Sequence, residues 1–513
     1  MTVAPRVAIR VDASAAIGTG HLKRCLSLAQ ALTDAGAEIC FVCRELDAVA
    51  AQVLGNSGIP TLWLPAPAQA FTPGPDAPPH AAWAGVPQTQ DAADTAQALD
   101  TWCPDAVVVD HYAFDARWHQ AVRAALNCRL LVIDDTADRP LDADALLDHN
   151  WAPDHRTKYA SRLQREPLWL CGSRFALLAS AYRGAARYRF HDTVRSIGIF
   201  MGGTDPGAVS ARVLAACRSA GFTGPVEVVS TSANPQLVAL QDACQRDGNT
   251  ALTLDQPDLA AFFARHDLQV GAGGGATWER CCIGAPSVAL ALVANQSAVV
   301  PGLAALGAVR ATDEATLPAV LRELVADPAA RQSLAERAAA LVDGRGAQRV
   351  ALALLRDHLQ LRPATADDAR LLHGWRNHPA VRAVSATQDP IDFDAHQRWL
   401  HSLLANPTRW LFVAQVGQLP VGSIRFDRRD NGHLEVSLYT APDLQGLGLG
   451  QRLLAAGEQT LLALCPGGFT VEAQVLPDNT PSQRLFQTAG YHGGPLQFRK
   501  AIGPLPNTSH TTP

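Results

Sequence analysis

Short apolar runs that alternate with helical segments are the feature that most constrains the fold of this chain. From residue 6 to about 150 these runs read VAIRVD, EICFVC, TLWLP, AVVVDHY and LLVIDD. Short β-rich runs alternating with helices indicate a parallel sheet covered on both faces. We therefore predict a doubly wound, Rossmann-like α/β lobe over residues 1–160. The insert at 65–87 is rich in Pro and Ala without periodicity, which predicts a surface loop.

The alternation restarts after a connector around 151–190. The second set of runs reads SIGIFMGG, VEVVST, ALTLD, LQVGAGG and SVALALV, and helices around 316–358 follow. We predict a second doubly wound lobe over 161–358. Ligands of open α/β sheets bind outside the carboxyl ends of the strands, so two such lobes in tandem suggest a sugar-nucleotide fold with a crevice between them.

A different order of elements begins near residue 359. One strand, two helices ending near Ala405, a meander, a Gly-rich loop with a helix, a strand, a helix and a hairpin follow each other. This order indicates an α+β domain over 359–502 rather than a third doubly wound lobe. The segment 503–513 is predicted to be a disordered tail.

Length and charge exclude several classes of protein. With 513 residues the chain exceeds what one hydrophobic core serves, and its formal charge of −5 gives no basic field for nucleic acid or an anionic membrane. No apolar stretch approaches the ~20 residues that span a bilayer, and the first residues lack the pattern of a signal peptide. We expect a cytoplasmic protein, and the sequence leaves its oligomeric state open.

Two short motifs could suggest a metal. Cys40 and Cys43 form a CxxC, but a zinc site needs a second pair, and the segment reads as a strand that points them to opposite faces. The DAD at Asp142–Asp144 resembles the metal motif of other glycosyl transferases. It lies far in sequence from the Gly loops, so we expect an exposed turn and predict no metal.

The stretch RVDASAAIGTGHLKR carries the first candidate site. The apolar run breaks at Asp12, and Gly18 and Gly20 would let the backbone turn and approach a substrate. The candidate substrate-binding residues here are Asp12, Gly18, Gly20 and Arg24. The third glycine of a dinucleotide fingerprint is replaced by Lys23, so that fingerprint is incomplete.

His21 and Arg24 follow at the start of the predicted helix. The positive helix end and the Arg24 cation disfavour protonation, which would leave a neutral imidazole available as a base near neutral pH. A hydrogen-bonded structural histidine fits this segment equally well.

Glycine loops at strand ends mark a nucleotide site in the second lobe. In VGAGGGATWER a strand ends in glycines and a helix begins, and free N–H groups at such a terminus hold a pyrophosphate without metal. MGGTDPG follows its strand in the same way. Tight turns in a parallel sheet explain one such loop more easily than two. The candidate binding residues here are Gly203, Gly274, Gly275, Thr277, Glu279 for ribose hydroxyls, Asn295 and Gln296.

Together RVDASAAIGTGHLKRCLSLA, VVDHYAFDARW, VIDDTADRP, MGGTDP and GGGATWERCCIGAPSVALALVANQ resemble the UDP-2,4-diacetamido-2,4,6-trideoxy-beta-L-altropyranose hydrolases of pseudaminic acid biosynthesis. The resemblance implies a GT-B fold and an inverting hydrolysis without metal. It further implies that His21 is the general base, that Tyr112 and Asn295 line the site, and that Glu279 contacts the nucleotide.

The third domain carries a second phosphate-binding pattern. Gln445, Gly448 and Gly450 have the spacing Q/R-x-x-G-x-G/A between a strand and a helix, which lets backbone N–H groups surround a pyrophosphate. Gly446 lies in the same loop and is a further candidate for binding. With GWRNHPAVR, Asn479 and Ser482, this region resembles GNAT N-acetyltransferases. The resemblance implies acetyl-CoA as co-substrate.

Glu435 precedes the Gly loop on a strand, where such enzymes often place a carboxylate that orders water or accepts a proton; a solvated strand residue is the alternative. Many relatives have a Tyr seven residues after the Asn as the acid that reprotonates the thiolate. Here that position is Phe486, so Tyr439, Tyr491 or a water could act instead.

The two resemblances together predict a bifunctional enzyme acting on UDP-linked amino sugars. The third domain would acetylate the 4-amino group of UDP-4-amino-4,6-dideoxy-N-acetyl-beta-L-altrosamine, and the first two lobes would release UDP from a later intermediate. Two alternatives remain: a GT-B glycosyltransferase that uses an acceptor other than water, and a GNAT domain that acts on another amine, on protein or as an acyl-CoA sensor.

Overall fold

The computed structural model describes residues 4–293, 296–385, 387–494 and 496–503. The chain divides into two compact units. The first is formed by Arg6–Thr33 and Glu38–Val350, and the second mainly by Ala351–Pro513. The predicted tail 503–513 lies outside the described residues apart from Gly503. Among the described residues, no helix combines the length and apolarity needed to cross a bilayer.

The first lobe is a parallel sheet covered by helices, as predicted. Its strands are β1 (Arg6–Val11), β2 (Glu38–Arg44), β3 (Thr61–Leu64), β4 (Ala106–Asp110), β5 (Arg129–Ile133), β6 (Ala145–Asp148) and β7 (Leu168–Cys171). Its helices are α1 (Gly20–Asp34), α2 (Val49–Leu54), α3 (Gln88–Leu99), α4 (Ala116–Leu126) and α5 (His155–Tyr159). The strand order is β3-β2-β1-β4-β5-β6-β7. Because β7 pairs with β6, the sheet extends beyond the predicted lobe boundary at residue 160.

After α6 (Ser180–Gly184) a second parallel sheet follows. Its strands are β8 (Ile197–Phe200), β9 (Val226–Ser230), β10 (Thr250–Leu254), β11 (Leu268–Ala272), β12 (Ser287–Leu290) and β13 (Arg310–Thr312), in the order β10-β9-β8-β11-β12-β13. Its helices are α7 (Val209–Ser219), α8 (Leu237–Asp247), α9 (Ala260–Arg265), α10 (Ala276–Ile283), α11 (Val299–Ala305), α12 (Leu317–Ala326), α13 (Pro328–Leu341) and α14 (Gly346–Leu354).

The second sheet is buried on both faces. Successive residues of one strand, such as Val228 and Val229, belong to different hydrophobic clusters, as do Val288 and Ala289. Side chains alternate between the two faces of a strand, so the near-continuous apolar runs of the sequence supply both faces. This confirms the pair of doubly wound lobes that the sequence predicts.

The direction of strand addition reverses between β1 and β4 in the first sheet and between β8 and β11 in the second. Crevices outside the carboxyl ends of strands at such reversals are where doubly wound sheets bind ligands. Of the five predicted ligand segments of the two lobes, the four after β1, β4, β8 and β11 start at these positions, and the fifth, which includes Gln296, follows β12.

The second unit contains a mixed sheet of the predicted α+β type. Its strands are β14 (Leu359–Pro363), β15 (Arg409–Val416), β16 (Leu419–Arg428), β17 (Leu434–Thr440), β18 (Phe469–Ala473), β19 (His492–Gly494) and β20 (Gln497–Ile502). Its helices are α15 (Ala369–Asn377), α16 (Pro379–Arg382), α17 (Phe393–Leu404), α18 (Leu449–Leu464) and α19 (Thr480–Thr488). The order is β14-β15-β16-β17-β18-β20-β19, and β17 and β18 are parallel.

A buried ionic network crosses the first lobe. Arg10 contacts Asp12 with both Nη atoms and Asp91 with Nε and Nη2, and Arg44 also binds Asp91. Asp12 additionally lies 3.2 Å from His111 Nε2 and is 0% exposed. The structure therefore does not support the predicted substrate contact of Asp12, because its carboxylate already contacts Arg10 and His111 inside the lobe.

The insert at 65–87 is not wholly a surface loop. Ala81–Ala84 form a short 3-10 turn in which Ala81 and Ala84 are buried. The prediction is wrong for this part because a single turn is too short to show a periodic pattern in the sequence. The turn brings His80 and Trp83 to the first candidate site.

Candidate active sites

His21 and Asp110 form a hydrogen-bonded dyad at the carboxyl edge of the first sheet. β1 and β4 are neighbours, with Val11 opposite Asp110, so the helix after β1 starts beside the end of β4. Gly18, with φ of 81°, closes the turn before this helix, and Gly20 is its first residue. His21 Nδ1 lies 2.6 Å from Asp110 Oδ1. A proton on Nδ1 satisfies the carboxylate and leaves the Nε2 lone pair free to accept a proton.

Arg24 holds Asp110 from the other side. Its Nε and Nη2 donate to the two carboxylate oxygens at 2.6 Å each. Although burial favours the protonated acid, Arg24 and His21 lower the pKa of Asp110 below its usual range. The predicted substrate contact of Arg24 is not supported, because this guanidinium is engaged with Asp110. Sequence analysis missed Asp110, which supplies the negative charge that stabilises an imidazolium at His21.

Aromatic side chains enclose His21. Tyr112 packs edge-on against the imidazole at a centroid distance of 4.7 Å, and Trp83 packs against both rings at 6.2 and 5.9 Å. The Tyr112 hydroxyl donates to Asp135, and burial together with that carboxylate raises the pKa of Tyr112 well above its ordinary value. The phenol is therefore a neutral donor, and the structure places Tyr112 beside His21 as the resemblance implies.

A chain of hydrogen bonds connects this cluster to the second lobe. Asn150 Nδ2 donates to Asp135 Oδ2 at 2.7 Å, and Trp278 Nε1 on α10 donates to Asn150 Oδ1 at 3.1 Å. His149 packs edge-on against Trp278, and burial together with Arg24 lowers the pKa of His149 to about 3. These contacts bring α10 of the second lobe to the same crevice as His21.

The two glycine loops of the second lobe differ in their helix ends. Asp205 accepts hydrogen bonds from Val209 N and Ser210 N, so the start of α7 is capped by the chain itself. The N-cap of α10, Gly275, makes no side-chain capping hydrogen bond. Of these two termini, α10 is the one that retains the capacity to bind an anion.

Other predicted contacts cluster around α10. A Cβ at Gly274 would lie 3.4 Å from Gln296 Nε2, so Gln296 lies against the glycine loop. Burial raises the pKa of Glu279, and Lys23 on α1 of the first lobe opposes that shift across the crevice.

Thr277 is 0% exposed and donates to Ala272 O, which does not support its predicted substrate contact. Gly203 accepts from Thr231 Oγ1 through its carbonyl. Asn295 lies outside the described residues.

The residues of the two short motifs that could suggest a metal have other environments. Asp142 is 3% exposed and pairs with Arg123 and Arg165, so the expected exposed turn is wrong. The sequence did not reveal these arginines because one comes from α4 and the other from beyond β6. Cys40 and Cys43 are both buried in β2. Within the described ranges no group of three or more His, Cys, Asp or Glu side chains could hold a metal ion.

The third candidate site starts where β17 ends. Gly446 and Gly448 have φ of 82° and 73°, conformations that favour glycine, and they shape the loop into the start of α18. Gly448 is the N-cap and makes no side-chain capping bond. A Cβ at Gly450 would lie 3.7 Å from Leu485 on α19. The start of this 16-residue helix is the place where the sequence predicts that backbone N–H groups of Gln445 to Gly450 surround a pyrophosphate.

β17 and β18 separate beside this loop. Their parallel pairing covers only Leu434 to Val436 on β17, although the strand continues to Thr440. β16 pairs with one side of the backbone from Ser437 to Thr440, and the side facing β18 has no strand partner among the described residues, so that side is available to an extended ligand. Glu435 lies at the opposite end, about 17 Å along the strand from Thr440, and is bound by Arg429. This position does not support the predicted catalytic role of Glu435.

The remaining predicted residues of this domain have distinct environments. Asn479 caps α19 by accepting from Ser482 N at 3.2 Å. Phe486 is buried against Tyr491, and burial together with Glu458 raises the pKa of Tyr491 far above its usual range. Tyr439 lies at the separated end of β17, packs against Trp375, and has a pKa raised by burial to about 12.

Comparison with known proteins identifies the class of the third domain first. Residues 358–492 match the family described as Acetyltransferase (GNAT) domain. The acetyltransferase PseH of Campylobacter jejuni subsp. jejuni serotype O:2 is 28% identical over 122 residues, covering 24% of this chain and 75% of the relative.

The first two lobes match a second relative from the same organism. The UDP-2,4-diacetamido-2,4,6-trideoxy-beta-L-altropyranose hydrolase is 21% identical over 302 residues, covering 59% of this chain and 97% of the relative. Among solved structures, Acinetobacter baumannii MurG is 15% identical with a TM-score of 0.47, covering 68% of this chain and 98% of that chain. The comparisons thus confirm both resemblances found in the sequence, on one polypeptide.

Proposed function

We propose that the chain is a bifunctional enzyme of pseudaminic acid biosynthesis. The first two lobes hydrolyse UDP-2,4-diacetamido-2,4,6-trideoxy-beta-L-altropyranose to UDP and the free sugar. The third domain transfers an acetyl group from acetyl-CoA to the 4-amino group of the precursor UDP-sugar. The similarity of the first part to a UDP-2,4-diacetamido-2,4,6-trideoxy-beta-L-altropyranose hydrolase and of the second part to an acetyltransferase supports the pairing.

The observation that carries the hydrolase proposal is the chain of hydrogen bonds from Tyr112, which packs on His21, to Trp278 on α10, a helix whose start is uncapped. Asp110 orients the imidazole in one lobe, and the glycine loop before α10 supplies N–H groups for a diphosphate in the other. A diphosphate becomes a good leaving group once such groups offset its charge, so the enzyme needs chiefly a positioned water and one base.

The proposed step is a single displacement. His21 Nε2 accepts a proton from water while the water oxygen bonds to the anomeric carbon. The bond between that carbon and the β-phosphate oxygen breaks, and its electron pair leaves with UDP. Water attacks the face opposite the leaving group, so the configuration inverts. Tyr112 and Asn295 line the sugar site, Glu279 contacts the nucleotide, and no metal takes part.

The direct test is incubation of the pure protein with the UDP-sugar in chelator and without any acceptor. UDP and free sugar in equal amounts support hydrolysis. UDP release that requires an added sugar or lipid acceptor would favour the glycosyltransferase alternative, and loss of release in chelator would contradict the metal-free mechanism.

In the acetyltransferase the amine attacks the thioester carbonyl, the thiolate of CoA leaves, and a proton must reach the thiolate. The glycine loop before α18 binds the pyrophosphate of acetyl-CoA, and Asn479 and Ser482 shape the neighbouring segment. Tyr439 is the proton donor, because it lies where β17 separates from β18 while Phe486 has no hydroxyl.

We expect Tyr439→Phe to lower kcat for acetyl transfer about 10- to 100-fold, because the thiolate loses its proton donor. Coupled release of CoA measures this rate, and UDP release should not change. Tyr491→Phe is the matched control and should stay within about twofold, since the Tyr491 hydroxyl is buried beside Glu458. Equal losses in both variants would contradict the assignment.

A further inference from the structure

Arg280 on α10 is a buried cation without a carboxylate partner. It is 1% exposed, and no ion pair within the described part of the chain includes it. Its Nε and Nη1 atoms have no hydrogen-bond partner. Glu279 affects it electrostatically without reaching ion-pair distance.

The guanidinium lies directly behind the glycine loop of the second lobe. Nη2 donates to Ala272 O at 2.9 Å and to Thr277 Oγ1 at 3.0 Å. A Cβ at Gly271 would lie 2.1 Å from Nη1. The cation therefore lies against the end of β11 and the first turn of α10, immediately beneath the loop of residues 273–275.

Arg331, a second buried arginine of the same lobe, has hydrogen bonds that stabilise its charge. Arg331 is 0% exposed, and its two Nη atoms donate to four backbone carbonyls, those of Leu324, Val325, His191 and Asp192. Arg280 has one carbonyl and one hydroxyl instead. Burial lowers the pKa of Arg280 to about 10, which reflects the cost of the uncompensated charge.

A fold that retains such a charge commonly does so for a ligand that compensates it. The adjacent start of α10 is uncapped, whereas the start of α7 is already occupied by Asp205. The uncapped start of α10 and the unpaired charge of Arg280 both favour an anion at the glycine loop. A positive charge in a region of low dielectric acts on such an anion without direct contact.

We infer that Arg280 is a binding residue for the diphosphate of a nucleoside diphosphate, acting through its charge from beneath the glycine loop. This inference rests on the proposed function of the first two lobes, and it adds a residue that is not among the candidates predicted from the sequence. In the free protein the charge is uncompensated, so binding of the diphosphate offsets a cost already present in the fold.

The test compares UDP and uridine binding by calorimetry in Arg280→Met, together with the unfolding temperature of the free protein. UDP affinity should fall about tenfold or more, while uridine affinity should stay within twofold because uridine carries no phosphate. The unfolding temperature should not decrease, because Met fills the space without a buried charge.

Arg331→Met is the matched control. It removes a buried arginine that is hydrogen-bonded to carbonyls, so the unfolding temperature should fall while UDP affinity below that temperature stays unchanged. Arg280→Lys keeps the charge and should retain UDP affinity within about threefold; it serves if Arg280→Met does not fold.

Unchanged UDP affinity in Arg280→Met, equal losses for UDP and uridine, or a tenfold loss in Arg280→Lys would each overturn the inference. A wild-type protein that binds UDP but releases none from the UDP-sugar would overturn the proposed hydrolysis and leave this inference standing. A wild-type protein that binds no UDP would overturn both.

Discussion

Replacement of His21 by Asn is expected to lower the rate of UDP release about 10²- to 10⁴-fold, the contribution typical of a general base. Asparagine keeps polarity near Asp110 but has no lone pair that can take a proton from water at neutral pH. Acetyl transfer by the third domain should not change in the same preparation. Release of UDP and of CoA, measured in parallel, checks this expectation.

His191 provides a matched control for that experiment. Its Nδ1 lies 2.8 Å from Asp267 Oδ1, and Arg195 binds the same carboxylate, so the constellation repeats the chemistry of His21, Asp110 and Arg24. His191 is more exposed and lies in the second lobe, away from the glycine loops. UDP release in His191→Asn should stay within about twofold. Comparable losses in both histidine variants would show that the rate effect reports stability rather than base catalysis.

Replacement of Asp91 by Asn is expected to lower the free energy of unfolding of the first unit by about 3–5 kcal/mol, the range measured when one partner of a buried ion pair is removed. Asp91 is 0% exposed and accepts from Arg10, from Arg44 and from the indole of Trp118. Asparagine leaves two buried guanidinium groups without that charge. Urea denaturation followed by circular dichroism measures the difference.

The carboxylate of Asp91 should also make the stability of the folded chain depend on pH. Although burial opposes ionisation, Arg10 lowers the pKa of Asp91 in the folded chain. In the unfolded chain an aspartate has a pKa of about 3.9, so the unfolded chain binds the proton first as the pH falls. The stabilisation is therefore complete above about pH 5 and decreases on further acidification. Wild type should lose more stability than Asp91→Asn between pH 6 and pH 3.

Glu166→Gln is the control for the ionic network. Glu166 pairs with Arg156, and both side chains are largely exposed, so its loss should change the free energy of unfolding very little. A stability loss in Asp91→Asn no larger than that of Glu166→Gln would contradict a stabilising role for the buried network.

The local pattern around His21 was sufficient to predict a strand, a glycine turn and a helix that starts at the histidine, and all three are present. The partner Asp110 was missed because it lies on a strand that follows 89 residues later. Only the adjacency of β1 and β4 brings the two together, and strand order is a property of the whole sheet. An Asp at the end of the apolar run AVVVD was the available signal.

The sequence predicted which strand ends carry the candidate sites better than it predicted which side chains there are free to contact a ligand. Asp12, Thr277 and Glu435 are close in sequence to glycine loops, but their side chains bind other residues of the chain. Hydrophobic alternation gives the face of a residue and not its tertiary partners. His80 and Trp83 were missed because they lie in an insert with no repeating pattern.

The arginine partners of Asp142 illustrate the same limit. Asp142 and Asp144 lie in a polar segment, which predicts an exposed turn. In the structure Arg123 on α4 and Arg165 form ion pairs with both aspartates. Charge compensation between elements depends on helix placement, which local sequence does not specify. The turns at Gly18, Gly446 and Gly448 were easier to predict, because each has a positive φ that favours glycine.

The central claim is that water attacks the anomeric carbon of a UDP-linked sugar with His21 as base. Turnover of the UDP-sugar in H₂¹⁸O, followed by mass spectrometry of both products, tests it most directly. The account predicts one ¹⁸O atom in the free sugar and none in UDP, without any added acceptor. Label in the β-phosphate of UDP would show that the phosphorus–oxygen bond breaks, which would contradict the account.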